Sequence, residues 1–250
     1  MFGRKQIAML VAEFLGTSVL TLAVLSIRYS TVGSAPYFVA LGAGLTVALL
    51  LFVFGTTSGA QLNPAVTIAL WTARKIQTVP AAFYIVFQLL GAWAAYGVFR
   101  YFAGTGLQAI GGHYLTRVLV AEAVGAFIFV FAWSAVVAQR YANGALAASI
   151  GLAFAVAILV ASSVPYIKSL PIAIGLVNPA IALGMHAWDI WGSMGWGTYV
   201  LGPVAGGVVA ANLYEVVFAG ADRVVSSAKV APVVRKTTTK KTAKRTAKRR

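Results

Sequence analysis

The sequence predicts an all-α membrane protein in which six spanning helices and two re-entrant half-helices form an inverted repeat. Three observations lead there. Sixty per cent of the 250 residues are hydrophobic and ten per cent charged, which leaves too little polar surface for a soluble domain of this length. Six apolar stretches are each long enough to cross a hydrocarbon core of about 30 Å at about 1.5 Å per residue. The triplet Asn-Pro-Ala occurs twice, at Asn63-Pro64-Ala65 and at Asn178-Pro179-Ala180, each time between spans.

In chain order, Gly3 to Lys5 is a basic lead and Gln6 to Ile27 the first span. Pro36 marks a turn, and Tyr37 to Gly55 makes the second span. At Asn63-Pro64 the proline fixes φ and gives up an N–H that a first helical turn leaves unpaired, so Asn63 reads as a cap and a short helix follows to about Trp71. Arg74 and Lys75 stop it at water. Pro80 opens the third span, Ala81 to Phe102, and a Gly-rich connection through Gly104, Gly106, Gly111 and Gly112 closes the first half.

The second half repeats the order. Arg117 leads into a fourth span through Gln139, Ala145 to Val164 makes the fifth, a second half-helix starts at Asn178, and Trp196 to Phe218 makes the sixth. Ala12-Glu13-Phe14-Leu15-Gly16 is echoed by Ala121-Glu122-Ala123-Val124-Gly125, at nearly the interval that separates the two Asn-Pro-Ala copies. Three spans per half is an odd number, so the second half enters the membrane from the opposite side. The chain divides into a first repeat, 1–110, a second repeat, 111–220, and a basic tail, 221–250.

Charge and cysteine content narrow the function classes. Eleven of the 20 Lys and Arg residues fall within 223–250 with no acid among them, so the formal net charge of +15 belongs largely to the tail. Its Lys and Arg are interleaved with Thr and Ala and offer nothing to bury, which predicts disorder. Attraction to anionic lipid, about 1 kcal/mol per basic residue near the surface, is one reading of this tail, and nucleic acid or ribosome contact is the other. The absence of cysteine excludes disulfides, a thiol nucleophile and thiolate metal sites. The first apolar segment contains Glu13 and lacks a small-residue cleavage site, so it reads as a retained helix in place of a signal peptide. Basic residues near the span ends, with the tail deciding, put both termini in the cytoplasm, and the membrane is expected to be the plasma membrane.

The paired Asn-Pro-Ala copies in this arrangement resemble the major intrinsic protein family, the aquaporins and glycerol facilitators, over roughly residues 6 to 220. The resemblance implies that the two half-helices dip in from opposite faces and meet near the midplane at Asn63 and Asn178, and that the protein is a homotetramer with one pore per subunit. Irregular backbone at that depth is tolerated only where it lines water or is buried in protein, so a cavity is expected. Each half-helix N-terminus carries about half a positive charge, which disfavours a cation there. Asn63 and Asn178 would each offer a side-chain N–H to a passing water. That water then donates outward in both directions and relays no proton. The outer filter departs from the family pattern. The resemblance places its four positions at Ala43, Ile158, Gly175 and Ile181, without the usual aromatic residue and with isoleucine where arginine normally follows the second Asn-Pro-Ala. This implies a wide, apolar mouth that admits solutes larger than water, with Tyr166 or Lys168 folding back to line it.

Glu13 and Glu122 occupy equivalent places in spans one and four, where an ionisable residue marks a partnered or functional position. They read either as a proton relay or as carboxylates accepting backbone N–H bonds from the re-entrant loops, and the repeat favours the second. Gln88 reads as a loop-holding amide, with an ordinary interhelical hydrogen bond as the alternative. Small residues at Gly91, Ala92, Ala94 and Ala95 and at Gly202 to Ala211 would let the half-helices dock, or else form a dimer face. His113 and His186 have no second ligand at metal spacing. Trp71, Trp188, Trp191 and Trp196 read as interface anchors. No catalytic group, metal or cofactor is expected.

The function expected is passive conduction of water and small uncharged solutes such as glycerol across a lipid bilayer, with no enzymatic turnover. Two rivals remain. One is a secondary transporter built on the same kind of inverted repeat, and the other a membrane tether acting through the basic tail.

Overall fold

The computed structural model describes residues 3–30, 36–104, 116–167, 175–188 and 195–218. Calls made on His113, Lys168, Trp191, the Tyr166 side chain and the tail 221–250 lie outside the described residues. Within them the chain forms α1 (Arg4–Ser30), α2 (Pro36–Ser58), α3 (Pro64–Thr72), α4 (Thr78–Ala103), α5 (Thr116–Ala138), α6 (Asn143–Ile167), α7 (Pro179–Gly184) and α8 (Gly202–Leu213). Six helical stretches are long and apolar enough to span a membrane, and α3 and α7 are the two short ones.

The long helices run a turn or so beyond their apolar stretches. α4 starts at Thr78, before the Pro80 expected to open it, because a proline in the first turn removes no helical hydrogen bond. The Trp71 indole N–H donates to Thr78 Oγ1 at 3.0 Å, which joins the exit of α3 to the start of α4.

The sixth span is not the uniform helix expected. α8 is flanked by π-helical turns at Gly197–Leu201 and Tyr214–Phe218. Pro203 at its start has no N–H to give to the preceding turn, which is where a wider hydrogen-bond register is accommodated.

Helix contacts repeat across the two halves, with α1 on α4 and α5 on α8 as one pair of equivalents, and α2 on α6 joining the halves. The small residues serve close approach in two ways, between spans and, as expected, against the half-helices. A Cβ on Gly91 would lie 2.4 Å from the Phe14 carbonyl oxygen of α1, and a Cβ on Gly206 only 1.9 Å from the Ala123 carbonyl oxygen of α5. These two glycines therefore bring spanning helices together. Gly207, where a Cβ would meet the Ala65 carbonyl oxygen at 3.3 Å, faces α3. Gly184 of α7 faces Thr21 of α1 and Ala92 of α4. The half-helices sit inside the ring of spans, and every residue from Ala60 to Thr67 and from Gly175 to Ile181 is buried.

Candidate functional site

Both Asn-Pro-Ala turns are built alike. Asn63 has extended backbone and its Oδ1 accepts from Ala65 N at 2.9 Å, while Asn178 does the same with Ala180 N at 2.9 Å. Pro64 and Pro179 occupy the first helical position, where the missing N–H costs nothing. The two turns also hold each other. Asn63 Nδ2 donates to the Val177 carbonyl at 3.0 Å, and Asn178 Nδ2 donates to the Leu62 carbonyl at 2.9 Å. One amide hydrogen of each asparagine is therefore spent on the opposite loop. The second is the one left for another acceptor.

The residue before each asparagine is in the left-handed region, Leu62 at φ 52° and Val177 at φ 54°, at a cost of roughly 1–2 kcal/mol for a residue with a Cβ. This twist aims two successive backbone N–H groups at one point, and a carboxylate sits at that point in each half. Glu13 accepts from Gln61 N at 3.0 Å and Leu62 N at 2.8 Å. Glu122 accepts from Leu176 N at 2.7 Å and Val177 N at 2.6 Å. Both carboxylates are fully buried.

The halves differ in how much more surrounds each carboxylate. Glu13 also accepts from Ser58 Oγ at 2.6 Å and from Gln88 Nε2 at 2.8 Å. Gln88 Nε2 donates again to Thr67 Oγ1 at 3.0 Å, and Thr67 in turn donates to Gln61 Oε1 at 2.7 Å. Tyr84 donates to the Ser58 carbonyl at 3.1 Å. On the second side, Ser162 Oγ accepts from Gly175 N at 2.8 Å and the Trp188 indole N–H donates to the Pro179 carbonyl at 3.0 Å. Trp188 thus braces α7, a role beyond the interface anchor expected of it.

Of the residues singled out in sequence, the structure brings together Glu13, Glu122, Gln88, Asn63 and Asn178. It adds Ser58, Thr67, Tyr84 and Ser162, which carried no motif. Thr67 alone had a local signal, since it lies one turn after Asn63 on the short helix.

The four positions read as the outer filter are all buried in the structure. Ile158 and Ile181 are each 1% exposed, and Ala43 and Gly175 are buried. Ala43, Ile158 and Ile181 belong to one apolar core with Leu176 and Val177. A Cβ on Gly175 would collide with Ala161 Cβ at 2.3 Å, so this loop packs directly on α6. On the opposite side of the asparagines a cavity of about 380 Å³ opens, lined by Thr56, Gly59, Gln61 and Asn143 together with apolar residues such as Trp133 and Ile150.

No group of His, Asp and Glu able to hold a metal occurs among the described residues. His186, just past α7, packs on Tyr96 at 4.1 Å and stacks near-parallel with Trp93 at 6.1 Å between ring centroids. Burial, with a smaller contribution from the Arg100 charge, holds its imidazole below the usual histidine range.

Comparison with known proteins agrees with this architecture. The sequence pattern described as "Major intrinsic protein" matches residues 3–114. Aquaporin Z of Photorhabdus laumondii is 30% identical over 235 residues, covering 84% of this chain and 97% of that protein. Aquaporin PIP1-1 of Arabidopsis thaliana is 34% identical over 240 residues, covering 86% of this chain and 79% of that one. Among solved structures, the aquaglyceroporin from Plasmodium falciparum superposes with a TM-score of 0.72 at 20% identity, over 88% of this chain and 99% of that one.

Proposed function

The chain belongs to the major intrinsic protein family, and on that premise we propose that it is a passive channel, not an enzyme, conducting water and small uncharged solutes such as glycerol. The observation that carries this reading is the reciprocal pair of bonds from Asn63 to Val177 and from Asn178 to Leu62. It brings two helix N-termini and two partly committed amide donors to one place. A solute oxygen can accept there, and a cation meets two positive helix ends. In this reading Pro64, Ala65, Pro179 and Ala180 shape the two turns.

The outer constriction at Ala43, Ile158, Gly175 and Ile181 is apolar and uncharged. An apolar constriction resists ions because it dewets, so charge exclusion here does not depend on an arginine. The buried isoleucines supply the narrow part, and their movement sets what passes. Glu13 and Glu122 act as anchors for the re-entrant loops. Each already accepts two backbone N–H bonds, which favours this role over proton relay and the channel over coupled transport.

Both termini are placed in the cytoplasm and the subunits in a homotetramer in the plasma membrane. The tail 221–250 is placed against anionic lipid in preference to nucleic acid.

Stopped-flow light scattering on proteoliposomes tests the reading, comparing water and glycerol flux for wild type and Ile181→Arg. Flux of both solutes, with glycerol selectively reduced by arginine, is expected. Folded, inserted protein that passes neither solute above empty liposomes would refute passive conduction of them.

A further inference from the structure

The hydrogen-bond relay that starts at Glu13 ends on an amide with one end free. Gln88 Nε2 donates to Glu13 at 2.8 Å and to Thr67 Oγ1 at 3.0 Å, and Thr67 donates to Gln61 Oε1 at 2.7 Å. With its oxygen committed to Thr67, Gln61 keeps both hydrogens of Nε2, which donate to nothing among the described residues. Trp133 is only 5% exposed, and its indole N–H also makes no hydrogen bond there. A buried indole N–H usually finds a partner. The described polar atoms that are both sealed from solvent and unpartnered are on Thr17, Thr21, His186 and Thr198. The two N–H groups of Gln61 and Trp133 therefore reach open space.

Both residues line the cavity of about 380 Å³ beside the asparagines, and Trp133 stands in the wall between it and a smaller one of about 210 Å³. No charged residue lines the larger cavity, and Leu51, Leu146 and Ile150 supply hydrocarbon. An apolar chamber with a few placed polar groups is the usual form of a small-molecule site. The outer positions cannot share this task. The side chains of Ala43, Ile158, Gly175 and Ile181 offer no hydrogen bond with which to tell one neutral solute from another.

We propose that this chamber is the solute-selecting site, and that it recognises small polyols through donation from Gln61 Nε2 and Trp133 Nε1 to hydroxyl oxygens. The site presupposes the conducting channel proposed above. A polyol sheds water to pass Asn63 and Asn178, and the two donors replace part of that water at the last roomy position before them. Its C–H edge lies on the apolar wall. Urea, polar around its whole plane, has no such edge and gains less.

The test uses the full chain with isotope-labelled tryptophan in detergent, titrated with glycerol, erythritol or urea. The indole N–H resonance of Trp133 is assigned by its absence from Trp133→Phe or, should that variant not fold, by replacing the other tryptophans one at a time. Exposed Trp93 serves as the reference for general solvent effects. Glycerol and erythritol should shift the Trp133 resonance saturably, and urea should not. In proteoliposomes, the ratio of glycerol to urea permeability should fall roughly fivefold in Trp133→Phe, as for one neutral hydrogen bond of about 1 kcal/mol. Gln61→Glu, which keeps the acceptor for Thr67 and removes the donor, should lower the ratio as well. A Trp133 resonance that ignores polyols, or that follows urea equally, overturns the proposal. So does an unchanged permeability ratio in both variants. Wild type that passes no solute refutes the channel instead, and the resonance then reports on the site separately.

Discussion

Asn178 donates from Nδ2 to the carbonyl of Leu62 at 2.9 Å, and so ties the cap of one half-helix to the residue that precedes the other. Leu62 N is in turn held by Glu13 at 2.8 Å. Anchor, crossing bond and helix cap therefore stand in series, and the reciprocal bond from Asn63 to Val177, with Val177 N on Glu122, runs the same series backwards. The geometry at the centre depends on both halves at once.

Asn178→Asp tests that dependence. The substitution keeps the cap acceptor and adds negative charge at a helix N-terminus, which is worth about 0.3–1 kcal/mol in its favour. It also sets a carboxylate oxygen against the Leu62 carbonyl in a buried site, losing a donor at a cost of about 1–3 kcal/mol. The loss exceeds the gain, so thermal stability in detergent should fall and water flux with it. An unchanged unfolding midpoint would mean that the crossing bond contributes nothing.

The two glutamates should not be equally sensitive. Glu13 accepts from four donors and Glu122 from two in the described contacts. Replacing either by glutamine turns one acceptor oxygen into a donor. At Glu13 the new amide faces two donors on whichever oxygen it replaces, at Glu122 only one. Glu13→Gln should therefore be the more destabilising by about 1–3 kcal/mol, one additional buried donor left unpaired. Thermal unfolding of the two variants side by side decides it. Should both fold well yet lose flux at every pH, a coupled transporter would become the better account.

Much of this centre was legible because it is written twice. Asn-Pro-Ala and the paired glutamates recur at nearly one spacing, and a buried acid in a span has few uses besides holding backbone N–H groups. Ser58, Tyr84 and Ser162 were silent because a hydroxyl in an apolar helix looks the same whether it bonds its own turn or a distant loop, and Thr67 offered only its place one turn after Asn63. Gly91 and Gly206 were read correctly as sites of close approach but assigned the wrong neighbour, since composition says that something comes near and not which helix. The outer filter is legible only through the resemblance, since no local pattern marks Ala43, Ile158, Gly175 or Ile181, and the structure adds that all four are buried.

Close approach predicts a sharp contrast among glycines. At Gly206 an added methyl would sit 1.9 Å from the Ala123 carbonyl oxygen, and backbone must move, whereas at Gly97 on α4 it would meet nothing within 4 Å. Gly206→Ala should cost about 1–3 kcal/mol as overpacking, while Gly97→Ala should be neutral or gain up to about 1 kcal/mol in helix propensity. Monodispersity and melting in detergent would read both. Similar melting of the two variants would show that α5 and α8 tolerate separation.

His186 predicts a pH dependence. It holds a left-handed backbone at φ 56° and packs on Tyr96 and Trp93, and burial, with help from Arg100, keeps its pKa below the ordinary histidine value of 6.5. As pH falls, the unfolded chain takes up the proton before the folded one does, so the folded state loses stability progressively from about pH 6.5 down through the lowered folded-state value. Above that window the contribution is fully present. His186→Phe keeps an aromatic ring against Tyr96 and Trp93 and cannot titrate. Its melting temperature should start below that of wild type at pH 8, because phenylalanine is less at ease than histidine at positive φ. It should then decline less than wild type between pH 7 and 5. Parallel curves for the two proteins across that range would show that protonation of His186 is not linked to folding.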